Sequence, residues 1–478
     1  MEFNRKVNAL RTRKKLKTFF DKVSRDRSRL LRKNRYYYQL LVDFHKFHIP
    51  EDKRVMEIGC GTGFLLDKLK PSYGVGIDIS SGMIKIAESK YPSLHFVNTA
   101  IEDYISSEKF DFIVINDTIG YFIDIQFVFN RIRQNCTAKT RIIITSYNYL
   151  WEPILKISSA LGLKMEQPFT NWLSPKDITN LLELEHFETI KKGRLMLFPK
   201  YVPLVSTALN RFISKLPFIS KLCLVNFIVA RPLEINDGKS KSVSVIVAAR
   251  NERGHIEKIV ESMPKIGKTT ELIFVEGGST DGTYEKIEEV AQKYVNKNIL
   301  YTKQEGIGKG DAVRKGFEIA KGEILLIYDA DMTVPFEDLQ KFYDAIIYNK
   351  GEFIMGSRLI YPMEKQAMRT LNLIGNKMFS VMFTWLLDQR IKDTLCGTKV
   401  ITRDNYKDLA KTRKYFGTFD PFGDFDLIFG ASKMNLRIRE IPIRYQERTY
   451  GATNISRFSH GWLLIRMCIY AMKKIKFV

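Results

Sequence analysis

The sequence predicts an α/β protein built twice over: two doubly wound α/β domains in tandem. Three observations carry that expectation. Short apolar runs alternate with helical stretches from Arg54 to about Asn148, and again from Ser242 to about Ser357. The first series opens on a strand running into alternating glycines, Val55-Met56-Glu57-Ile58-Gly59-Cys60-Gly61-Thr62-Gly63. The second contains a strand ending in two carboxylates, Ile324-Leu325-Leu326-Ile327-Tyr328-Asp329-Ala330-Asp331. At roughly 100–200 residues per domain, 478 residues allow two or three domains.

Residues 1–50 read as basic helix. Arg5, Lys6, Arg11, Arg13, Lys14, Lys15 and Lys17 are followed by Lys22, Arg25, Arg27, Arg29, Arg32, Lys33 and Arg35, against Asp21 and Asp26 alone. Leu10, Leu16, Phe19, Phe20, Leu30 and Leu31 are interleaved, which suits either a solvated basic helix or one lying on an anionic membrane. Residues 51–235 form the first α/β domain, with strands at Arg54–Gly59, Gly74–Ile79, Leu94–Asn98, Phe110–Asn116 and Arg141–Tyr147. Phe187–Ile190 and Leu222–Ala230 are placed as an antiparallel pair added to that sheet. Between them, Phe198–Leu224 is apolar and contains Pro199, Pro203 and Pro217. It suits a buried connector first, with a lid or a membrane-facing insert as alternatives.

Residues 236–241 are a polar linker. The second domain, 242–455, has strands at Ser242–Ala248, Glu271–Val275, Ile299–Tyr301, Glu323–Tyr328 and Phe353–Ser357. Leu371, Ile374, Met378, Val381 and Trp385 then recur at helical spacing, read as core or as a face meeting lipid. Residues 456–478 are expected to form an amphipathic helix with a basic end, from Trp462 to Lys474.

The totals narrow the function classes. Lys and Arg number 76 against 53 Asp and Glu, a formal charge of +23, which favours anionic partners. Hydrophobic residues make up 45% of the chain, enough for real cores. Five cysteines fall without a C-x-x-C pair, which argues against a disulfide framework and for a reducing compartment. No signal peptide and no apolar run of about 18 residues is readable. The expected location is therefore the cytoplasmic side, peripheral to a membrane.

Gly59, Gly61 and Gly63 stand where a strand turns into a helix, so the backbone can approach a ligand closely. Asp78 ends the next strand about 20 residues on, where a carboxylate can take ribose hydroxyls. Glu57 precedes the glycines, and a carboxylate there suits a cationic ligand better than a diphosphate. With Glu57–Gly63 and Gly74-Val75-Gly76-Ile77-Asp78-Ile79-Ser80, the front half resembles class I S-adenosylmethionine-dependent methyltransferases. That resemblance implies that Glu57, Gly59, Gly61 and Gly63 hold the methionine end of the cofactor. It implies Asp78 at the ribose, Met83 near adenine, and Asn116 among the cofactor-binding residues, at the end of the fourth strand where acceptor contacts also lie. The carboxylate often found after the third strand is replaced by Asn98-Thr99-Ala100-Ile101-Glu102, with Asn98 or Glu102 as substitutes. Asp117, Tyr121, Tyr147, Tyr149 and Trp151 are acceptor-side candidates, with core the alternative for the last three.

Asp329 and Asp331, two apart at a strand end, suit Mg²⁺ or Mn²⁺ under a nucleotide diphosphate. Their context is an ordered set: Val243–Glu252, Glu276-Gly277-Gly278-Ser279-Thr280-Asp281, Gly306-Ile307-Gly308-Lys309-Gly310 and Gly356-Ser357-Arg358. Together these resemble family 2 inverting glycosyltransferases of the GT-A fold, nearest the dolichyl- or polyprenyl-phosphate sugar transferases. The resemblance implies a nucleotide-sugar donor held by Ala248, Arg250, Glu252, Glu276, Asp281, Lys309 and Asp329. It implies a metal on Asp329 and Asp331, a lipid phosphate clamped by Arg358 and Arg369, and Arg448 on a late loop, Tyr445–Gly451, that closes over the donor. A phosphate acceptor is already a nucleophile and needs positive charge to place it, not a base. Glu276-Gly277 stands where the family has two acidic or amide residues, and Thr333 where it often has Gln.

The leading expectation is a bifunctional enzyme. An alternative is a glycosyltransferase acting on a sugar hydroxyl in surface polysaccharide synthesis, with Asp424 or Asp426 as base and the front domain a non-catalytic adaptor. A nucleic-acid-binding protein is the reading of another class. No basic-aromatic motif supports it, and no nucleic acid is expected.

Overall fold

Strand β1 (Arg54–Ile58) is buried from Val55 to Ile58, as a strand covered on both faces must be. The computed structural model describes residues 2–162, 171–233, 238–358, 370–415, 423–443, 445–446 and 457–477. They divide into two compact units, Met1–Glu234 with Phe477–Val478, and Ile235–Lys476. Each unit is an α/β domain around one seven-stranded sheet.

In the first unit β2 (Tyr73–Asp78), β3 (His95–Asn98), β4 (Phe112–Asn116), β5 (Arg141–Tyr147), β6 (Phe187–Leu195) and β7 (Val225–Pro232) complete the sheet. The strand order is 3-2-1-4-5-7-6. The first five strands are parallel, while β7 runs antiparallel between β5 and β6. The order in which strands are laid down reverses between β1 and β4, and such a switch point leaves a crevice beyond the strand ends. That crevice receives the Gly59–Gly63 turn from one side and Asn116 from the other.

The second sheet contains β8 (Val243–Ala249), β9 (Thr270–Glu276), β10 (Ile299–Lys303), β11 (Ile324–Asp329), β12 (Phe353–Ser357), β13 (Lys399–Thr402) and β14 (Ile438–Pro442). Its order is 10-9-8-11-13-12-14, with β13 antiparallel to both neighbours. Alternate residues of β11 feed opposite cores, as the two-residue strand period requires. Leu325 and Ile327 pack with Phe383 and Phe425, whereas Leu326 and Tyr328 pack with Phe342 and Val260. The register sets Ala248 beside Asp329 and Ala249 beside Glu276, so the switch between β8 and β11 gathers the polar ends on one edge.

The structure revises several readings. The helix Glu2–Lys33 does not leave its apolar side for a membrane: Leu16 is buried, Phe20 packs edge-on against Tyr121, and Leu31 faces the first unit's crevice. Phe198–Leu224 is not a buried connector but a chain of short helical turns with much of its apolar surface exposed. In the helix Thr370–Leu387 the core residues are Phe379, Phe383, Leu386 and Leu387, while Met378 and Val381 face outward. The helix Arg457–Ala471 buries Met467, Cys468 and Ala471 and exposes Trp462 and Ile469. No described helix is long and apolar enough to cross a membrane.

Candidate functional site

Each unit carries its own site. In the first, Gly59, Gly61 and Gly63 all take positive φ, at 75°, 53° and 74°. A side chain on Gly59 would strike the Thr118 side chain, whereas Gly61 has open space where a Cβ would point. The glycine turn is tied to β2 by Asp78, whose Oδ2 accepts the Gly61 N–H at 2.8 Å and whose Oδ1 accepts the Ser80 N–H at 2.8 Å. Burial pushes the Asp78 carboxyl up, against these bonds and the nearby Arg27 charge.

Glu57 is 3% exposed and lines the same cavity, and its Oε2 has no hydrogen-bond partner. Burial pushes its carboxyl up to about 8. A buried carboxylate with an unmatched oxygen is a place for a cation, so the residues present fit a sulfonium cofactor carrying an ammonium group. Met83 and Asn116 line the cavity, with Asn116 Oδ1 accepting the Thr145 hydroxyl at 2.9 Å. Glu102 also reaches it, while Asn98 is exposed and donates to the Asp78 carbonyl.

Sequence reasoning missed the roof. Arg13, Leu16, Phe20, Arg27 and Leu31 of the first helix line the cavity. The helix is held down by Asp21, whose Oδ1 accepts from the Ser80 hydroxyl at 2.7 Å and the Gly82 N–H at 2.9 Å. Arg13 bridges to Asp103 at 3.0 Å and Glu102 at 3.5 Å. Arg27 donates to the Tyr38 hydroxyl at 2.9 Å. Opposite Arg27, the Tyr37 hydroxyl donates to Asp117, which also accepts from Thr145, and Tyr121 and Tyr147 complete the wall. Tyr149 is exposed, and Trp151 is half-buried with its indole N–H on the Leu222 carbonyl at 2.7 Å.

In the second unit Lys309 Nζ lies 2.5 Å from Asp329 Oδ1. Burial works against the Asp329 charge, but Lys309, with Lys399 and Arg358 beyond it, holds that carboxyl below its usual range. Gly397 touches this pair so closely that a Cβ would fall 2.0 Å from Asp329 Oδ2. Asp331 Oδ1 accepts from Thr333, by its hydroxyl at 2.9 Å and its N–H at 3.2 Å. Two carboxylates are an all-oxygen set suited to a hard divalent cation, with diphosphate and water oxygens needed to complete its shell. Gln446 N–H reaches the Thr333 carbonyl at 2.9 Å, so the late loop starts beside Asp331.

The donor-side loops are braced by their own carboxylates. Glu276 accepts the Ser279 N–H, and Asp281 accepts from Thr283 and from the Arg253 N–H at 3.2 Å. Glu252 is buried with Oε2 2.9 Å from His255 Nδ1, so its carboxylate is engaged within its own turn. Arg250 is exposed. Arg358 is not a surface charge: its Nε and Nη2 meet the two oxygens of buried Asp393 at 2.7 and 2.8 Å, and its guanidinium stands 5.2 Å from the Tyr445 ring centre. Asp426 is buried against Arg413 at 2.9 Å. Arg369, Arg448 and the Asp424 side chain lie outside the described residues. Asp393 and Lys399 had no motif to announce them.

The fold and these sites define a transferase with a methyltransferase-like domain followed by a GT-A domain. The family models agree: a methyltransferase domain matches residues 30–192, and glycosyl transferase family 2 matches residues 244–409. Glycosyltransferase AglJ of Haloferax volcanii is 27% identical over 225 residues, 47% of this chain and 69% of its own. The dolichyl-phosphate beta-glucosyltransferase of Saccharomyces cerevisiae is 28% identical over 236 residues, 45% of this chain and 70% of its own. Among solved structures, a SAM-dependent methyltransferase from Thermotoga maritima covers 45% of this chain and 98% of its own, at 17% identity and a TM-score of 0.36.

Proposed function

We propose that the second unit transfers a sugar, with inversion, from a nucleotide sugar to a polyprenyl (dolichyl-type) phosphate at the cytoplasmic face of a membrane. The observation that carries this reading is the shared edge of β8, β9 and β11, where Ala248, Glu276 and the Lys309–Asp329 pair end together. Arg250, Glu252, Glu276 and Asp281 shape the nucleotide pocket. A divalent Mg²⁺ or Mn²⁺ on Asp329 and Asp331 would neutralise charge on the departing diphosphate. Lys309 exchanges Asp329 for a donor phosphate.

Arg358, aimed by Asp393, clamps the acceptor phosphate together with Arg369, while Arg448 closes over the donor. An acceptor oxygen attacks the anomeric carbon, and its C–O bond forms as the bond to the diphosphate breaks. The phosphate brings its own negative charge, so no side chain has to remove a proton. Relatives named for dolichyl phosphate support this acceptor, as do the outward-facing Met378, Val381 and Trp462.

The first unit is proposed to be an S-adenosylmethionine-dependent methyltransferase coupled to the first reaction. Bound cofactor supplies an electrophilic methyl group. Glu57 takes its ammonium group, Asp78 the ribose hydroxyls, Met83 packs on adenine, and Gly59, Gly61 and Gly63 give the backbone close approach. Asn116 and the Tyr37–Asp117 pair face the acceptor.

The test is incubation with a panel of nucleotide sugars and polyprenyl phosphate, read by mass spectrometry with and without S-adenosylmethionine. A glycosyl-phospholipid that gains the mass of one methylene unit with the cofactor supports both activities on one product. Sugar appearing only on hydroxyl acceptors overturns the lipid-phosphate reading.

A further inference from the structure

The first unit carries an apolar surface that its proposed chemistry does not use. On the segment 201–222, Tyr201, Leu204, Phe212, Leu216, Phe218 and Leu222 are exposed, Leu204 at 87% and Phe218 at 82%. On and around the helix Glu152–Ala160, Tyr149, Leu150, Ile154, Ile157 and Leu161 are exposed as well. The two stretches are neighbours. Trp151 donates to the Leu222 carbonyl, Lys33 donates to the Gly162 carbonyl at 2.7 Å, and Lys200 donates to the adjacent Asn34 at 2.7 Å.

Leu204 is held out deliberately. Its φ of 63° and ψ of −48° close a γ-turn in which the Val205 N–H reaches the Pro203 carbonyl at 2.7 Å. A branched apolar residue in that region is strained, at about 1–3 kcal/mol, and here the strain presents a leucine to solvent.

The charge on the segment 201–222 is one-sided, while the helix Glu152–Ala160 carries one Glu152–Lys156 pair at 2.8 Å. From Phe198 to Leu224 the sequence carries Lys200, Arg211, Lys215 and Lys221 and no acidic residue. Arg211 and Lys221 are exposed, with Lys221 beside the Phe218 ring at 5.8 Å. A protein partner would need to match a loop of scattered protruding side chains. A bilayer surface needs only apolar insertion and negative headgroups, which is the combination present.

We propose that this face, built by Tyr149–Leu161 and Tyr201–Leu222, docks the first unit onto an anionic lipid bilayer. The proposal deepens the membrane location in the functional reading, and its test is independent of sugar transfer. The full chain is floated with phosphatidylcholine vesicles, with and without about one third phosphatidylglycerol, containing no polyprenyl lipid. Binding is expected with the anionic vesicles. L204D/F218D/I157D is expected to lower the partition coefficient by at least about tenfold. All three positions are exposed, so its melting temperature should stay within a few degrees.

A second variant, R211E/K221E, is expected to lose binding to anionic vesicles while the apolar residues remain in place. Unbound wild-type protein, or equal flotation of wild type and both variants, overturns the proposal. So does a wild-type dimer in sedimentation that L204D/F218D/I157D converts to monomer, because the face would then meet a second copy.

Discussion

Arg358 and Asp393 form a two-pronged pair at the end of β12, with contacts of 2.7 and 2.8 Å and a third bond from the Arg358 N–H to the same carboxylate at 3.0 Å. Asn376, on the helix Thr370–Leu387, donates to Asp393 Oδ1 at 3.1 Å, so the carboxylate that aims the guanidinium is itself held in place. The pair aims the charge proposed above to clamp the acceptor phosphate.

Asp393→Asn should therefore cost stability as well as transfer. Removing one member of a buried pair strands the other charge, at about 3–5 kcal/mol, readable as a lower urea midpoint. Burial raises and Arg358 lowers the Asp393 carboxyl, which settles at about 2. Its folded value lies below the unfolded one, so the stabilisation is present above the ordinary carboxylate range and disappears as pH falls through about 2. Arg358→Lys keeps the charge but loses the fork. It should raise the acceptor KM about tenfold while leaving the donor KM near its original value.

Glu57, pushed up to about 8, is mostly protonated at neutral pH in the ligand-free protein. A cationic cofactor needs the carboxylate. Its affinity, followed by calorimetry, should tighten about tenfold per pH unit between roughly pH 6 and 8, then level off. For the ligand-free fold the sign is opposite. The raised value favours the folded state below the ordinary carboxyl range, and that advantage is lost as pH climbs through about 8. Glu57→Gln should flatten both profiles and weaken cofactor binding at pH 8.5.

The glycine turn separates two kinds of damage. Gly61→Val places atoms in open space in front of the turn, so it should abolish cofactor binding for roughly 1–3 kcal/mol of backbone strain. Gly59→Ala meets Thr118 at 2.4 Å and should lower the melting temperature. A Gly61→Val protein that binds S-adenosylmethionine normally would place the cofactor elsewhere.

Asp424→Asn should leave transfer to polyprenyl phosphate within a few-fold of wild type. A loss above about a hundredfold is the scale of a general base and would favour a hydroxyl acceptor. Asp426 is the weaker candidate for that role, being committed to Arg413.

Much of this arrangement was legible in the sequence because strands covered on both faces write themselves as unbroken apolar runs. The five parallel strands of the first sheet and β7 fall close to where those runs predict, while β6 starts at the expected Phe187 but runs past Ile190 to Leu195 through Lys191, Lys192 and Arg194, which carry no such run. Strands β13 and β14 were not, because four- and five-residue strands bearing Lys399 or Arg439 lack that signature. Glu57, Asp78, Asp329 and Asp331 could be read because each ends or flanks a strand. Asp393 could not, since a carboxylate is buried there only by virtue of a partner 35 positions away. The roof of the first site is a case of a signal present but outweighed. Arg13, Leu16, Phe20, Ser24, Arg27 and Leu31 step by three and four along one helical face, but the surrounding run of cations suggested solvent.

In the proposed function, cofactor would exchange beneath Leu16, Phe20, Arg27 and Leu31, and loosening of the first helix would gate that exchange. The helix's fastening from Arg13 to Asp103 stands partly in water, where an exposed ion pair is weak and salt weakens it further. Turnover limited by this opening would quicken as ionic strength rises, the reverse of what a basic protein drawing in an anionic substrate would show.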